Sequence, residues 1–197
     1  APRAPGRRPP PQARGRPVVL VSGHFGNYDI VRSALIQRGC EVGGLYRPMN
    51  NRLFNARYER SIRRIGEPLF PRGKQGFTSM IRHLRGGRML ALLVDQHMDS
   101  GARLSFFGRP AYTAVSAAQL ALKYDALLMP IYAIRQPDGR SFRIEVERPI
   151  PPSDEETMMQ AVNDSLEARV RVHMEQWLWT HRRWKNRAAR RRGPEES

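Results

Sequence analysis

The 197-residue sequence has little lysine, a single cysteine and no long apolar run. Three of its 34 basic residues are lysines, so guanidinium groups carry almost all of its positive charge. One cysteine, Cys40, cannot form an internal disulfide. No uncharged stretch approaches the roughly 18 residues that a membrane-spanning helix needs. Hydrophobic residues nevertheless make up 40% of the chain, which is enough to build a core and excludes a wholly disordered protein.

The formal net charge of +16 lies mainly at the two ends of the chain. Residues 1–17 are rich in Arg and Pro and have little to bury, so we expect a disordered tail there. A second charged tail is expected at 188–197, with one domain at 18–187 between them. Such tails suit phosphates, of nucleic acid or of lipid headgroups. Because no nucleic-acid-binding module accompanies the charge, we expect no nucleic-acid partner.

Short apolar runs alternate along the chain with segments of helical periodicity. A polar loop is expected after the strand that ends at Asp95 and Gln96. The alternation predicts an α/β fold, a layered structure whose mixed, largely parallel central sheet is flanked by helices. Strands are predicted at 18–21, 40–46, 89–94, 126–134 and 142–147, and helices at 29–38, 51–65, 77–84, 114–124 and 153–173.

The segment GHFGNYD, from Gly23 to Asp29, lies between the first predicted strand and the first helix. Reactive groups of α/β proteins collect at this end of a strand. A histidine can take a proton from a hydroxyl, while a carboxylate on its other nitrogen fixes the tautomer. His24 and Asp29 are therefore candidates for a base and its orienting acid. The alternative is a histidine that caps a turn, with Asp29 as the N-terminal acid of the helix.

The GHFGNYD segment resembles the HX4D/E motif of the lysophospholipid acyltransferase-like superfamily, in particular its bacterial lipid A biosynthesis (late) acyltransferases of lauroyl type. The resemblance extends over residues 18–187 and implies a glycerolipid-acyltransferase-like fold. It also implies an enzyme that moves a fatty acyl chain from an acyl carrier protein thioester to a hydroxyl of a lipid A precursor. Further segments resemble family blocks in order: LYRPMNN at 45–51, FPRGKQG at 70–76, LLVDQH at 92–97, FFGRPAYT at 106–113 and QWLWTHRRWK at 176–185.

The resemblance implies that His24 is the general base and that Asp29 orients it. Asn27 adds a polar group that could fix the loop between them, and it is also a candidate substrate contact. Arg47 follows the second predicted strand and could face the same site, or could be an ion-paired surface residue. Arg60, Arg63 and Arg64 lie on the helix predicted at 51–65. The resemblance implies a functional arginine near this helix without assigning it to one position, and Arg63 is taken as the candidate substrate contact. The other arginines of that helix are expected to form its solvated face.

Arg72 is a candidate contact for a substrate phosphate. Asp95 and Gln96 follow a buried strand, so they are expected to line the site, although they could simply bond to neighbouring loops. Near the C-terminus, three tryptophans and two arginines suggest either an aromatic belt at a membrane surface or a packed C-terminal helix. These five residues are Trp177, Trp179, Arg182, Arg183 and Trp184.

We expect no metal and no cofactor, because the five histidines are scattered and the nucleotide-binding glycine patterns are missing. The expected partners are acyl carrier protein, a glycolipid acceptor and a membrane surface. The expected location is the cytoplasmic face of the bacterial inner membrane. Family members usually carry an N-terminal membrane anchor, whereas 23 residues precede His24 here. We therefore expect peripheral attachment through basic and aromatic surface.

Two alternatives to lipid A acylation remain open at this point. One is an acyltransferase for another glycolipid or for a lysophospholipid. The other is a basic module that binds membrane or nucleic acid and catalyses nothing. An enzyme should lose its function when His24 is replaced, whereas a basic binding module should lose it when the tails are removed.

Overall fold

The computed structural model describes residues 15–185. Six strands form one central sheet, and two further strands form a separate hairpin. In chain order the elements are β1 (Val18–Ser22), α1 (Tyr28–Ile36), β2 (Val42–Tyr46), α2 (Arg52–Ile65), β3 (Leu69–Pro71), α3 (Lys74–Arg85), β4 (Met89–Leu93), β5 (Ala102–Phe106), β6 (Arg109–Thr113), α4 (Ser116–Lys123), β7 (Leu127–Arg135), β8 (Phe142–Val146) and α5 (Glu155–Val172), followed by a short 3₁₀ turn at Met174–Gln176.

The strand order of the sheet is β3-β2-β4-β1-β7-β8. All neighbouring strands are parallel except β8, which runs antiparallel to β7. The sheet is therefore mixed and largely parallel, as the alternation of strands and helices predicts. In such a sheet the carboxyl ends of the parallel strands share one edge, and loops from several strands meet there.

Strand β1 lies at the centre of the sheet, and all five of its residues are buried. Val18 and Leu20 pack with residues of α1, whereas Val19 and Val21 pack on the opposite face with α3, α4 and α5. Because side chains alternate along a strand, one continuous apolar run can supply two cores. The result is a three-layer structure with helices on both faces of the sheet.

Helix α2 lies on the outside of this arrangement and has no buried residue. Asn51 starts it by accepting hydrogen bonds from the backbone N–H groups of Leu53 and Phe54 at 3.0 and 3.1 Å. Leu53 and Phe54 are 87% and 58% exposed, so the first turn of α2 presents apolar side chains to its surroundings. None of the helices in residues 15–185 combines the length and the apolar character needed to cross a bilayer.

The polar loop predicted after β4 is present at 94–101, and it is followed by the hairpin β5–β6, for which the sequence predicts no strands. Its two central residues, Phe107 and Gly108, have φ values of 54° and 67°. Positive φ at both positions is what a two-residue turn between twisted strands requires. Phe106 packs against Trp177 and Trp184 of the C-terminal segment. This contact favours the hairpin, but it joins distant parts of the chain and so is not visible in the local sequence.

The predicted tails lie outside the described residues, apart from residues 15–17. Within these three, Arg16 forms an ion pair with Asp125. The carbonyl of Pro17 accepts a hydrogen bond from the N–H of Leu127 at 2.9 Å. The packed part of the chain thus includes the residues that immediately precede β1.

The C-terminal segment, residues 174–185, is anchored by a wholly buried arginine. Arg183 donates to the carbonyl of Tyr112 at 2.7 Å and to the hydroxyl of Thr113, and its guanidinium lies 5.6 Å from the centre of the Phe106 ring. Burial lowers the pKa of Arg183 to about 10, so it stays charged at neutral pH. This segment is packed, but beyond its 3₁₀ turn it is irregular rather than helical. Trp177 is 5% exposed, so it cannot belong to a surface belt.

We predict that R183A lowers the free energy of unfolding by about 2–4 kcal/mol, because it removes two buried hydrogen bonds and leaves a cavity where a wholly buried side chain was packed. The matched control is R182A, since Arg182 is the exposed neighbour. That change should stay within about 0.5 kcal/mol. Urea denaturation of both variants measures the difference. Equal stability of R183A and R182A would contradict the anchoring role.

Candidate active site

The parallel pairing of β1 with β4 brings His24 and Asp95 together. In the register of these strands, Ser22 lies opposite Leu93. His24 comes two residues after Ser22, and Asp95 comes two residues after Leu93. The Nδ1 atom of His24 lies 2.7 Å from Oδ1 of Asp95. The backbone N–H of His24 also donates to Oδ2 of Asp95 at 2.8 Å. Both the ring and the backbone of the histidine are therefore held by one carboxylate.

Asp95 is 4% exposed and accepts a further hydrogen bond, from the indole Nε1–H of Trp177 to Oδ2 at 2.9 Å. Burial acts to raise the pKa of Asp95. The hydrogen bonds and charge of His24, together with the indole of Trp177, outweigh that effect and hold the pKa below its usual range. Asp95 is consequently ionised at neutral pH and can only accept hydrogen bonds.

An ionised Asp95 requires the hydrogen of the neutral His24 ring to be on Nδ1. The lone pair is then on Nε2, at the side of the ring turned away from Asp95. The side-chain nitrogen of Gln96 is 3.5 Å from Nε2, too far for a strong hydrogen bond. The His24 side chain is 19% exposed, so Nε2 is available to a molecule that enters from solvent.

Two glycines allow the loop to make this arrangement. Gly26 has a φ of +57°, and a Cβ there would lie 2.1 Å from the carbonyl oxygen of Ala133. A Cβ on Gly23 would lie 2.7 Å from the Leu166 side chain and 3.0 Å from Oδ2 of Asp95. The glycines that flank His24 in the sequence are thus needed for close approach of the loop to the sheet and to Asp95.

His24 lines a groove of about 620 Å³ between the sheet and helices α1 and α2. Its apolar lining comes from both sides, with Leu20, Ala91 and Ile131 on the sheet and Tyr58 and Ile62 on α2. A groove of this size and character accepts an elongated apolar molecule such as a fatty acyl chain. The polar and charged residues at the groove are Ser22, His24, Asp29, Arg32, Arg47, Asn50 and Gln96.

Asp29 does not occupy the position expected from the sequence. The carboxylate bonded to Nδ1 of His24 is that of Asp95, because the strand register aligns these two residues, whereas Asp29 lies in the first turn of α1. Asp29 still lines the groove, near Arg32. Burial raises the pKa of Asp29, and Arg32 opposes part of that increase. A catalytic role of Asp29 remains a prediction, but its expected contact with Nδ1 is replaced by that of Asp95.

The predicted substrate-binding residues divide into two groups. Arg47 and Gln96 line the groove, and Asp95 lies directly behind His24. Three others lie outside the groove lining. Asn27 precedes α1, and its side chain makes no capping hydrogen bond. Arg63 is exposed and forms an ion pair with Glu67. Arg72 is also exposed, and its backbone N–H donates to the carbonyl of Tyr46. Substrate contacts by Asn27, Arg63 and Arg72 remain predictions.

A model of the bacterial lipid A biosynthesis acyltransferase family matches residues 10–186. The chain belongs to this family. Its relatives include the lipid A biosynthesis lauroyltransferase of Escherichia coli (strain K12), which is 30% identical over 89% of this chain and 58% of the relative. The phosphatidylinositol mannoside acyltransferase of Mycobacterium tuberculosis (strain CDC 1551 / Oshkosh) is 25% identical over 87% of this chain and 56% of the relative.

The chain spans a little over half the length of these two curated relatives. Among solved structures, the 1-acyl-sn-glycerophosphate acyltransferase of Thermotoga maritima matches 83% of this chain and 68% of its own, with a TM-score of 0.46 and 16% identity.

Sequence reasoning missed two residues of the candidate site. Arg32 is 7% exposed, lines the groove and donates to the carbonyl of Gly66 at 2.8 Å. Its spacing of three from Asp29 on a helix was an available signal. Trp177 lies 82 residues from Asp95, and no local pattern joins them.

We predict that the stability difference between wild type and D95N depends on pH. The pKa of Asp95 is depressed by folding, so its ionised form stabilises the fold above its unfolded pKa of about 3.9, and this contribution is lost as the pH falls through the lower folded value. Urea unfolding should show a constant deficit for D95N above about pH 5 that shrinks below about pH 4.

The control for this measurement is D125N, because Asp125 is exposed and pairs at the surface with Arg16. Its deficit should stay below about 1 kcal/mol at every pH. A D95N deficit that stayed constant down to about pH 2 would contradict an ionised, hydrogen-bonded Asp95.

Proposed function

We propose that this chain transfers a fatty acyl group from an acyl carrier protein thioester to a hydroxyl of a lipid A precursor. The observation that carries the proposal is the His24 ring, held at Nδ1 by ionised Asp95 and open at Nε2 to a largely apolar groove. That arrangement provides a base beside a slot for an acyl chain. Membership of the lipid A acyltransferase family supports the same chemistry.

In the proposed reaction, Nε2 of His24 takes the proton of the acceptor hydroxyl as its oxygen attacks the thioester carbonyl carbon. A carbon–oxygen bond forms, and the tetrahedral intermediate then breaks its carbon–sulfur bond. The departing thiolate receives the proton from the imidazolium. The acyl group has then moved from sulfur to oxygen, the proton has moved from the hydroxyl to the thiol, and His24 is neutral again. Asp95 stabilises the imidazolium through the Nδ1 hydrogen bond. No covalent acyl-enzyme is required.

Other groups at the groove are assigned by their position and charge. Arg47 is an exposed cation at the mouth, suited to a phosphate of either substrate. Arg32 is a buried cation whose partner in charge is Asp29. We propose that Asp29 chiefly compensates Arg32 and that Asp95 orients the base, with His24 the residue that handles the proton.

Charge and the relatives support the proposed donor and acceptor. Acyl carrier proteins are strongly acidic, and a chain of net charge +16 favours encounter with an acidic partner. The E. coli relative is a lipid A lauroyltransferase, which favours a lipid A precursor as acceptor.

A second candidate acceptor is another glycolipid or a lysophospholipid. The M. tuberculosis relative, a phosphatidylinositol mannoside acyltransferase, favours the glycolipid form of this alternative. Purified protein incubated with acyl carrier protein thioester and each acceptor class separates the two, because only the true acceptor yields acylated product. Both candidates use the same base.

We predict that H24A lowers the rate of acyl transfer by between about 10²- and 10⁴-fold, because the general base is removed. D95N should also slow the reaction strongly and D29N much less, since Asp95 is the carboxylate bonded to the ring. Rates of product formation at saturating substrate measure all three. The control is H173A, because His173 ends α5 and is not part of the groove lining.

Two outcomes would contradict these assignments. A folded H24A protein with wild-type acyl transfer would exclude His24 as the general base. If D29N lost as much activity as H24A while D95N kept its activity, Asp29 rather than Asp95 would be the orienting acid.

We further propose peripheral attachment at the cytoplasmic face of the inner membrane, through the groove mouth and the first turn of α2. Leu45 and Met49 line the groove and are 43% and 41% exposed, and Leu53 and Phe54 are exposed on the first turn of α2, a helix that also lines the groove. Arg52 and four further arginines of α2 add positive charge beside this apolar surface. Apolar side chains beside cations suit the interface of an anionic bilayer.

We predict that the double variant L53S/F54S loses at least about half of the wild-type binding to vesicles containing phosphatidylglycerol, because two apolar side chains leave the interface. Vesicle sedimentation measures the bound fraction. The matched control is V172S, which changes another apolar side chain that is 70% exposed, on the last turn of α5. Equal loss in both variants, or none in either, would contradict attachment through α2.

A further inference from the structure

Trp177 is joined to the catalytic pair through Asp95. Its indole Nε1–H donates to Oδ2 of Asp95 at 2.9 Å, the same oxygen that accepts the backbone N–H of His24. The other carboxylate oxygen, Oδ1, faces Nδ1 of His24. Three donors thus hold one buried carboxylate, and two of them belong to His24 itself. Trp177 is the donor that comes from elsewhere in the chain.

The segment that carries Trp177 is fixed against the His24 loop by backbone hydrogen bonds. The N–H of Gly26 donates to the carbonyl of Gln176 at 2.7 Å, and the N–H of Leu178 donates to the carbonyl of His24 at 3.0 Å. Phe25 and Trp177 form the antiparallel bridge between these bonds. The indole therefore has a defined position relative to both members of the pair.

The rest of the segment is anchored away from the groove. Arg183 is bound to the strand β6, and Trp184 donates from its indole to the carbonyl of Phe106 at 3.1 Å. Trp177 packs with Phe106 and Trp184 in a cluster beside the sheet edge, and it is not a lining residue of the groove. It can therefore affect chemistry through Asp95 without touching the substrate.

We propose that Trp177 is a positioning residue of the acyltransferase reaction, whose indole N–H holds the Asp95 carboxylate in the orientation that fixes the His24 ring. The proposal depends on the proposed function for its kinetic consequences. Removal of the donor leaves Oδ2 with one hydrogen bond fewer in a buried site. The carboxylate then loses part of its fixed orientation, and its pKa rises toward the usual range.

The test variant is W177F, which keeps an aromatic ring in the cluster and removes the donor. We expect kcat to fall by about tenfold, the low end of the effect of a hydrogen bond to a charged group. KM for both substrates should stay within about twofold, because Trp177 is not a lining residue of the groove.

The matched control is W179F. Trp179 is two residues away, is 48% exposed, and donates its indole N–H to the carbonyl of Met174 rather than to Asp95. It should keep the wild-type kcat. An equal fall of kcat in W177F and W179F would overturn the proposal, because a general loss of packing would explain both.

A double-mutant cycle asks whether Trp177 acts through Asp95. If it does, W177F should lower kcat by less than about twofold in a D95N background, where the carboxylate is already lost. A full tenfold effect in that background would mean that Trp177 acts independently of Asp95 and would overturn the proposal.

A measurement without substrate separates this proposal from the proposed function. In nitrogen-15 spectra, D95N should move the indole N–H proton signal of Trp177 upfield, while the signal of Trp179 stays in place. This comparison does not require W177F to fold. An unchanged Trp177 signal would overturn the proposal even in an active enzyme. The expected shift would support the contact even if no acceptor were acylated.

Discussion

The hydrogen bond from Nδ1 of His24 to Asp95 depends on a feature of the whole sheet, the parallel register of β1 and β4. The register places the residues that follow the two strands side by side at one edge. A buried carboxylate is costly without donors, so the arrangement is stable only because His24 supplies two hydrogen bonds and Trp177 a third. The groove, the loop and the C-terminal segment all meet at this carboxylate.

The two ring nitrogens of His24 lie in different environments. Nδ1 faces a buried, ionised acid, whereas Nε2 faces a groove whose lining is largely apolar. Cations lie along that groove at two depths, with Arg32 buried in its wall and Arg47 exposed at its mouth. This separation suits a substrate that is apolar along its acyl chain and anionic at its head, as phosphate-bearing acyl lipids are.

Much of the fold could be predicted from the sequence because its signals are local. The run at 18–21 and the glycines around His24 indicate a buried strand and a close-packed loop, and both are present. The spacing within the motif favours Asp29 as the partner of His24, whereas the contact to Nδ1 in the structure comes from Asp95 and depends on strand order. Trp177 and the β5–β6 hairpin depend on contacts between distant segments, which no local pattern records. Asp95 was recognised as a site residue by its position after a strand, although its role as the acid on Nδ1 was not.

The central claim is that Asp95 places the hydrogen of the neutral His24 ring on Nδ1 and leaves Nε2 as a base toward the groove. Nitrogen-15 chemical shifts of the His24 ring, recorded on the wild-type chain at a pH where the ring is neutral, test this claim most directly. The account predicts a protonated Nδ1 and an Nε2 with the shift of an unprotonated nitrogen. A ring with its hydrogen on Nε2 would contradict it, because that nitrogen could not then accept the proton of an acceptor hydroxyl.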